Sequence, residues 1–540
     1  MTEKIFKNFP LIKLFPTTNN SWYLYDARAN LFLILSDAEK YIICEYMTLC
    51  TGSDENINQY TDTLSSEAIT LIEDLQKNNI LLPGILKNRV QTDESQIERL
   101  WQQSENEAVP KKLTLEITNA CNLRCKYCPY TINEKKEQGK KHGTQNLKEK
   151  DACDAIKNYF LSFSRIYSKV TNEYRNTFLE RNPPSIGFYG GEVLLCFSLL
   201  EALVQYTLSL PWEAEGISPG RIIFHITTNG TLLTRKMIDF FIQYNFNLVI
   251  SYDGPPIEND KYRVFKNGKG AGSVVETALD MIRDISEEYL LDHVLIQSVL
   301  APEYDHDKVN EYFKSRSINE CYGGVKQFSY LEFSDYSDTP KYDKILDKFD
   351  VITQIDSIYK QNLSIDELHK QILNQPLLST WLKYIYAILT KAGEIPTIDN
   401  NYFNSCFIGC TNLFLDTYGN LHLCERSDFS LPIGNISTGT DACTIKRIYK
   451  DYFRIMNSKK CRSCWAGRFC TLCVASLIKQ GNIQEPDNAI CSSICRSMEK
   501  QIEDLIYIKE HYPKILECID SMYYQANDVS LSTFYSYIKG

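Results

Sequence analysis

Three cysteines, in Cys121-Asn-Leu-Arg-Cys125-Lys-Tyr-Cys128, stand three and then two residues apart. That spacing supplies three thiolates from one tight loop. A cube of four irons held by three thiolates keeps one iron free of any protein ligand. An open position on a metal is where a substrate can bind. With 19 cysteines in 540 residues, the spacing is expected by chance about 0.02 times. A second group lies far downstream: Cys406-x3-Cys410, Cys424 after Gly419, Cys461-x2-Cys464-x5-Cys470-x2-Cys473, then Cys491 and Cys495. The pairs Cys461/Cys464 and Cys470/Cys473 also have the spacing of a four-cysteine zinc site, so spacing alone leaves zinc open for this group. The other seven (Cys44, Cys50, Cys153, Cys196, Cys321, Cys443, Cys518) are scattered, as small buried apolar side chains usually are.

Composition limits what such cysteines can be doing. With 58 basic and 68 acidic residues the chain carries −10, so it has no overall electrostatic reason to bind nucleic acid. Met1 to Asn20 has no continuous apolar stretch and does not read as an export signal. No stretch approaches the roughly 18 apolar residues of a membrane helix. The expectation is a cytoplasmic protein of two to four domains, with no membrane and no nucleic-acid partner. Cytoplasmic thiols stay reduced, so clustered cysteines there bind metal or do redox chemistry.

The elements that must position these residues read as follows. Trp22–Tyr25 and Leu31–Leu35 form a hairpin, Ser36 caps a helix with Glu39 three residues on, a second helix spans about Ser65–Lys77, and Asn79–Pro83 returns as a strand. Residues 91–110 are a polar linker. From Lys112 the pattern changes to strands at Lys112–Thr118, Ser185–Tyr189, Ile222–Thr227, Leu248–Ser251, Val294–Leu300 and Gln327–Phe333. Helical spacing lies between them at Leu194–Leu208, Met237–Tyr244 and Val274–Ile285. About six βα repeats fit a partial barrel, with chemistry on the loops at the C-terminal strand ends. Residues 335–400 read as helical. Residues 401–497 show so little periodicity that metal is expected to substitute for a core. Met498–Tyr524 reads as one or two amphipathic helices interrupted at Pro513.

On these residues the chain resembles the radical S-adenosylmethionine (SAM) superfamily, whose landmarks recur in order. Phe188-Tyr-Gly-Gly-Glu192 ends the second strand, Thr227-Thr-Asn-Gly230 the third and Ile250-Ser-Tyr-Asp-Gly254 the fourth. The resemblance implies that Cys121, Cys125 and Cys128 hold a [4Fe-4S] cluster. It also implies that Gly190, Gly191 and Glu192 hold the SAM amine, that Asn229, Ser251 and Asp253 lie along the cofactor with ribose contacts from the last two, and that Arg263 meets its carboxylate. The downstream cysteines resemble a SPASM domain with two further [4Fe-4S] clusters. Cys406, Cys410, Cys424 and Cys473 would hold one, and Cys461, Cys464, Cys470 and Cys491 the other, with Cys495 able to replace Cys491. Glu425 stands where sulfatase-maturing relatives carry an acidic residue and would be a catalytic base. Residues 1–90 resemble, by element order, the winged-helix-like (PqqD-like) leader-recognition domain of ribosomal-peptide maturases.

The implied fold is α/β: a partial (β/α)6 TIM-like barrel over 111–335, an N-terminal winged-helix-like α+β domain over 1–90, a helical connector over 336–400, a cysteine-rich SPASM domain over 401–497 and C-terminal helices over 498–540. The implied partners are a ribosomally made precursor peptide (leader plus core) and an electron donor such as flavodoxin or ferredoxin. The implied reaction is abstraction of a substrate hydrogen by a 5′-deoxyadenosyl radical, closing a cysteine sulfur-to-carbon thioether. Carbon–carbon or carbon–oxygen crosslinking, residue oxidation of the sulfatase-maturase kind, and a non-catalytic metal-binding scaffold are the alternatives.

Overall fold

The structure, a computed structural model, describes residues 10–17, 21–51, 64–86, 97–98, 101–102, 111–132, 139–301, 303–315, 327–330, 351–391, 408 and 412–524. Cys406 and Cys410 lie outside them. The N-terminal unit is an antiparallel meander of β1 (Ile12–Pro16), β2 (Trp22–Asp26) and β3 (Leu31–Leu35), followed by α1 (Asp37–Thr51) and α2 (Ser66–Lys77). The β2–β3 turn closes on the Asp26 carboxylate, which accepts the N–H groups of Arg28 and Ala29 at 2.8 and 3.0 Å. Ser36 and Glu39 cap α1 reciprocally, Glu39 accepting the Ser36 N–H at 2.7 Å and Ser36 Oγ accepting the Glu39 N–H at 3.3 Å. Residues 79–83, expected as a strand, supply only an isolated bridge from Pro83 to Pro10. Asn79 and Leu81 take φ of 63° and 56°, which an extended strand does not allow.

Six parallel strands follow in chain order: β4 (Lys112–Thr118), β5 (Ser185–Gly190), β6 (Ile223–Thr228), β7 (Asn247–Ser251), β8 (Val294–Leu300) and β9 (Gln327–Tyr330). Side chains alternate along each strand. One set, including Leu113, Leu115, Ile117, Ile186, Phe188, Phe224, Ile226, Leu248 and Ile250, is buried in the core shared with the helices. The opposite set looks into the barrel interior and is polar at Lys112, Thr114, Glu116, Tyr189, His225 and Asn247, with Ile223, Val249, Leu295 and Val299 among them.

The sheet continues past β4 rather than closing. β10 (Asn412–Leu415) runs parallel to β4, and β11 (Asn420–His422), β12 (Gly434–Asn435) and β13 (Gly439–Thr440) extend it to ten strands. The expectation that metal would replace a core here is not met. Phe414, Leu421, Ile433, Ile445, Tyr449, Tyr452 and Phe453 are buried, the last four from the apolar face of the helix Ala442–Met456. A second correction concerns Val193–Glu215, which is long and apolar enough to cross a membrane by length and composition. In the fold it breaks into a short turn and the helix Phe197–Ser209, and Leu200, Leu203 and Val204 pack in the sheet core. Its high hydropathy reflects a helix laid on a sheet.

The N-terminal unit docks on the cysteine-rich segment. Arg468, 7% exposed, donates to the carbonyls of Ala27 and Arg28, the latter at 2.8 Å. Leu86 and Arg462 exchange hydrogen bonds of 2.9 and 2.8 Å, and Tyr25 stacks within 5.1 Å of Phe469. Replacing Arg468 by Ala strips buried carbonyls of their donor, at about 1–3 kcal/mol. Limited proteolysis should then cut within residues 10–86 at least several-fold faster, while fragments spanning 111–315 stay protected. Unchanged cutting in both regions would refute the docking role.

Candidate active site

β4 delivers the chain into the cysteine loop at the C-terminal edge of the sheet. A second segment clamps the loop there: Arg124 N–H donates to Val264 O at 2.7 Å, Lys126 N–H to Tyr262 O at 3.0 Å, and Leu123 bridges Phe265. Cys121 and Cys125 are each 8% exposed and pack around Leu123 and Ala271, with Cys128 half-buried beside them. Leu123 N–H and Asn229 Nδ2 approach the Cys121 sulfur at 3.4 and 3.8 Å. Burial pushes the thiols up, Cys121 to about 12 and Cys125 to about 11, with Arg263 opposing the shift at Cys125. Binding a metal there would displace those protons.

Gly190 and Gly191 lie against this loop. A Cβ on Gly190, whose φ is +147°, would stand 2.2 Å from Thr118 O, and one on Gly191 would stand 2.2 Å from Ala120 O. The backbone is sewn there by Gly191 N–H to Thr118 O (2.7 Å) and Glu192 N–H to Ala120 O (2.8 Å). Glu192 itself is 1% exposed, and its carboxylate accepts Thr228 Oγ1 at 2.6 Å, Asn229 N–H at 2.7 Å and Leu194 N–H at 3.1 Å. Its side chain ties β5 to β6. The two glycines let β5 pack directly on the backbone that leads into the cysteine loop.

Asp253 is likewise turned inward. It is fully buried and accepts Tyr127 OH at 2.6 Å, Tyr304 OH at 2.9 Å and Val299 N–H at 3.0 Å. These three bonds fix the orientation of the Asp253 carboxylate at the end of β7. Tyr127 OH also accepts Arg263 Nη1 at 2.7 Å. Arg263 is 7% exposed and its Nε has no hydrogen-bond partner. Ser251 ends β7 half-buried, opposite Gln297 in the β7–β8 ladder, and its hydroxyl makes no hydrogen bond among the described residues. Sequence reasoning missed Tyr127 and Tyr304; the position of Tyr127 between two cluster cysteines was the available signal.

The downstream cysteines fall into two sets. Cys424, pushed up to about 11 chiefly by burial, feels Cys473. Cys491 feels Cys461 and Cys470, and the Cys495 sulfur lies 3.6 Å from that of Cys464. Cys495 therefore joins the second set as a fifth thiol. The helix Asn488–His511 carries Cys491 and Cys495 one turn apart, an arrangement the sequence alone did not expose. Among the described residues no three His, Cys, Asp or Glu side chains converge to hold one metal ion, as a four-cysteine zinc site requires. A cube asks less, since each thiolate binds a different iron.

Between the two cysteine groups sits Lys140, 6% exposed. Its Nζ donates to Glu425 O and lies 4.4 Å over the Phe429 ring. Burial lowers its pKa, and Glu116, Cys424, Glu425 and Cys128 pull it back up. Glu116, 2% exposed, accepts Tyr130 OH at 2.5 Å from the cysteine-loop side and Thr417 N–H at 3.0 Å from the downstream side. Glu425 is half-exposed at this junction. The donor set fits iron–sulfur chemistry on two observations: three free thiols gathered on one loop, and an orphaned Arg263 Nε beside it.

The cysteine loop thus lies at the C-terminal end of the first parallel strand, the edge at which α/β barrels carry their chemistry. Residues 115–315 match the Radical SAM superfamily model, so that segment of the chain is a radical SAM domain. It is 21% identical over 465 residues to the radical SAM cyclopropyl synthase TigE of Paramaledivibacter caminithermalis, covering 84% of this chain and 87% of that protein. It is 30% identical over 190 residues to a serine-type anaerobic sulfatase-maturating enzyme of Bacteroides thetaiotaomicron, covering 32% and 39%. The solved structure of native anSMEcpe with bound AdoMet shares the fold, with TM-score 0.52 at 17% identity over 76% of this chain and 99% of that one.

Gly191→Ala tests this close approach. No rotamer moves a Cβ away from a backbone carbonyl, so the strand end must shift, at about 1–3 kcal/mol. We expect a lower melting temperature and loss of SAM binding. Wild-type affinity for SAM in this variant would refute the close approach.

Proposed function

We propose that this enzyme crosslinks a ribosomally made precursor peptide, joining a cysteine sulfur to a carbon within the same chain. The observation that carries the reading is the junction at Lys140, where Cys424 and Glu425 face the Cys121–Cys128 loop across one buried cation. Cys121, Cys125 and Cys128 would hold one four-iron cluster with the SAM. Cys406, Cys410, Cys424 and Cys473 would hold a second cluster, and Cys461, Cys464, Cys470 and Cys491 or Cys495 a third. When bound, these groups would supply one-electron cleavage of SAM to methionine and a 5′-deoxyadenosyl radical, with electron acceptance at the auxiliary positions.

The chain's own residues do the rest. The glycine backbone at 190–191 would seat the SAM amine, Arg263 Nε its carboxylate, and Ser251 at the end of β7 the ribose. Glu425 would take the proton of the substrate thiol, which must ionise before it attacks. β3, an edge of the three-stranded sheet with Leu31 41% and Ile34 63% exposed, offers a ladder to a leader segment added as another strand. Exposed Lys126, Lys266 and Lys269 around the cysteine loop suit an acidic electron carrier such as flavodoxin or ferredoxin. A cytoplasmic setting agrees with this chemistry, since the thiols must stay reduced.

Reconstituted anaerobically, the protein should bind about twelve irons, and the triple substitution of Cys121, Cys125 and Cys128 by Ala should remove about four while abolishing deoxyadenosine. Full zinc occupancy without iron would end the reading.

Each crosslink should lower the peptide mass by two hydrogens and consume one alkylatable cysteine, and Glu425→Gln should keep SAM cleavage but yield less product. Retention of every alkylatable cysteine in a product lighter by two hydrogens would shift the assignment to a carbon–carbon link. Similarity to a cyclopropyl synthase over 84% of the chain favours that second reading, because closing a cyclopropane makes a carbon–carbon bond.

A further inference from the structure

Thr114, Gly187, His225 and Asn247 stand in one register row across β4, β5, β6 and β7. Their neighbours Leu113, Ile186, Phe224 and Leu248 face the helix-covered core, so this row faces the interior. A closed barrel fills such a layer with branched aliphatic side chains. Here the layer is small and polar, and His225 and Asn247 keep access to solvent.

Lys112, two residues before Thr114, lies across the row. A Cβ on Gly187 would meet Lys112 Cε at 2.6 Å, Thr114 Oγ1 at 3.0 Å and Lys112 Nζ at 3.3 Å. The lysine stem therefore rests on bare β5 backbone, a path open only because residue 187 lacks a side chain. Among the described residues the Lys112 ammonium makes no hydrogen bond or ion pair. Glu425 is the acidic group that faces it, from beyond ion-pair range. His225 is its titratable neighbour, and burial with Lys112 pushes that imidazole down to about 3, so it is neutral and retains an N–H to donate. Thr114 and Asn247 add a hydroxyl and an amide, and the row contains no carboxylate. A half-buried, unpartnered cation among donors carries a desolvation cost that an anionic ligand would relieve.

We propose that this row is a carboxylate-binding subsite, in which Lys112 and His225 hold a substrate carboxylate inside the barrel. The inference rests on the peptide-modifying reading above. Gly187 precedes Gly190 by three residues, so the subsite lies about 10 Å below the SAM-binding strand ends. The carboxylate held there is on the far side of the substrate from the carbon attacked, and it fixes how deep the peptide enters. It is either an acidic side chain or the chain's own α-carboxylate.

Three probes separate these cases on the full-length reconstituted protein: N-acetylglutamine, with only an α-carboxylate; N-acetylglutamate α-amide, with only a side-chain carboxylate; and N-acetylglutaminamide, with neither. By calorimetry, at least one carboxylate probe should bind about tenfold more tightly than the neutral one, and whichever does identifies the source. Lys112→Met should remove the difference and Lys112→Arg retain it, with peptide-independent SAM cleavage alike in all three proteins. Equal binding of all three probes, or undiminished carboxylate preference in Lys112→Met, would overturn the subsite. Carboxylate preference without any deoxyadenosine would leave the subsite standing and overturn the radical chemistry instead.

Discussion

Strand β4 carries ladders on both edges, and the arrangement of the site follows from that. One edge pairs with β5 and so with the rest of the barrel, while the other pairs in parallel with β10 from some 300 residues later in the chain. Parallel pairing needs a long crossover, and here the crossover is most of the enzyme. Because β10 starts in register with β4, Asn412 opposite Lys112, the chain leaving β10 arrives level with the chain leaving β4. The cysteine loop and the Thr417–Glu425 segment are therefore neighbours by sheet geometry. Glu116 secures the seam, its carboxylate shared between Tyr130 and Thr417.

Around that seam the buried charges are held by internal donors. Burial pushes the Glu192 and Asp253 carboxylates up, and three hydrogen bonds each hold them back down. A carboxylate so satisfied is a rigid electrostatic fixture. Arg263 differs in having one guanidinium nitrogen bonded to Tyr127 and another without a partner. The same low dielectric that makes an orphaned donor costly strengthens its attraction for an anion placed against it.

What could be read from the sequence follows how local each signal is. β4 is legible to the residue because strict alternation over seven positions needs no partner to be recognised, and β8 is legible as a short run rich in Val, Leu and Ile. Gly190 and Gly191 were placed by motif, but the reason for them, two carbonyls 2.2 Å from any Cβ, is tertiary. β10 gave no signal: four residues of Asn-Leu-Phe-Leu become a strand only because β4 offers an open edge. The same holds for β1, whose Ile12–Pro16 has meaning only against β2. Lys140 was illegible for a related reason. It lies in an otherwise polar stretch, and its burial is created by Phe429 and Glu425, nearly 300 residues away.

The open interior and the docked N-terminal unit belong to one mechanical argument. A concave polar face is wet until something enters it, and water weakens every interaction aimed at a reacting carbon. On the proposed reading, a peptide that filled the barrel would supply the missing layer and dry the site as it bound. Delivering it repeatedly to the same depth requires a fixed relation between the edge that would capture the leader and the loop that starts the chemistry. Arg468 and Arg462 supply that relation, since they bind the N-terminal unit from within Cys461–Cys473 itself. Any cofactor that orders those cysteines thereby also orders the surface that would present the substrate.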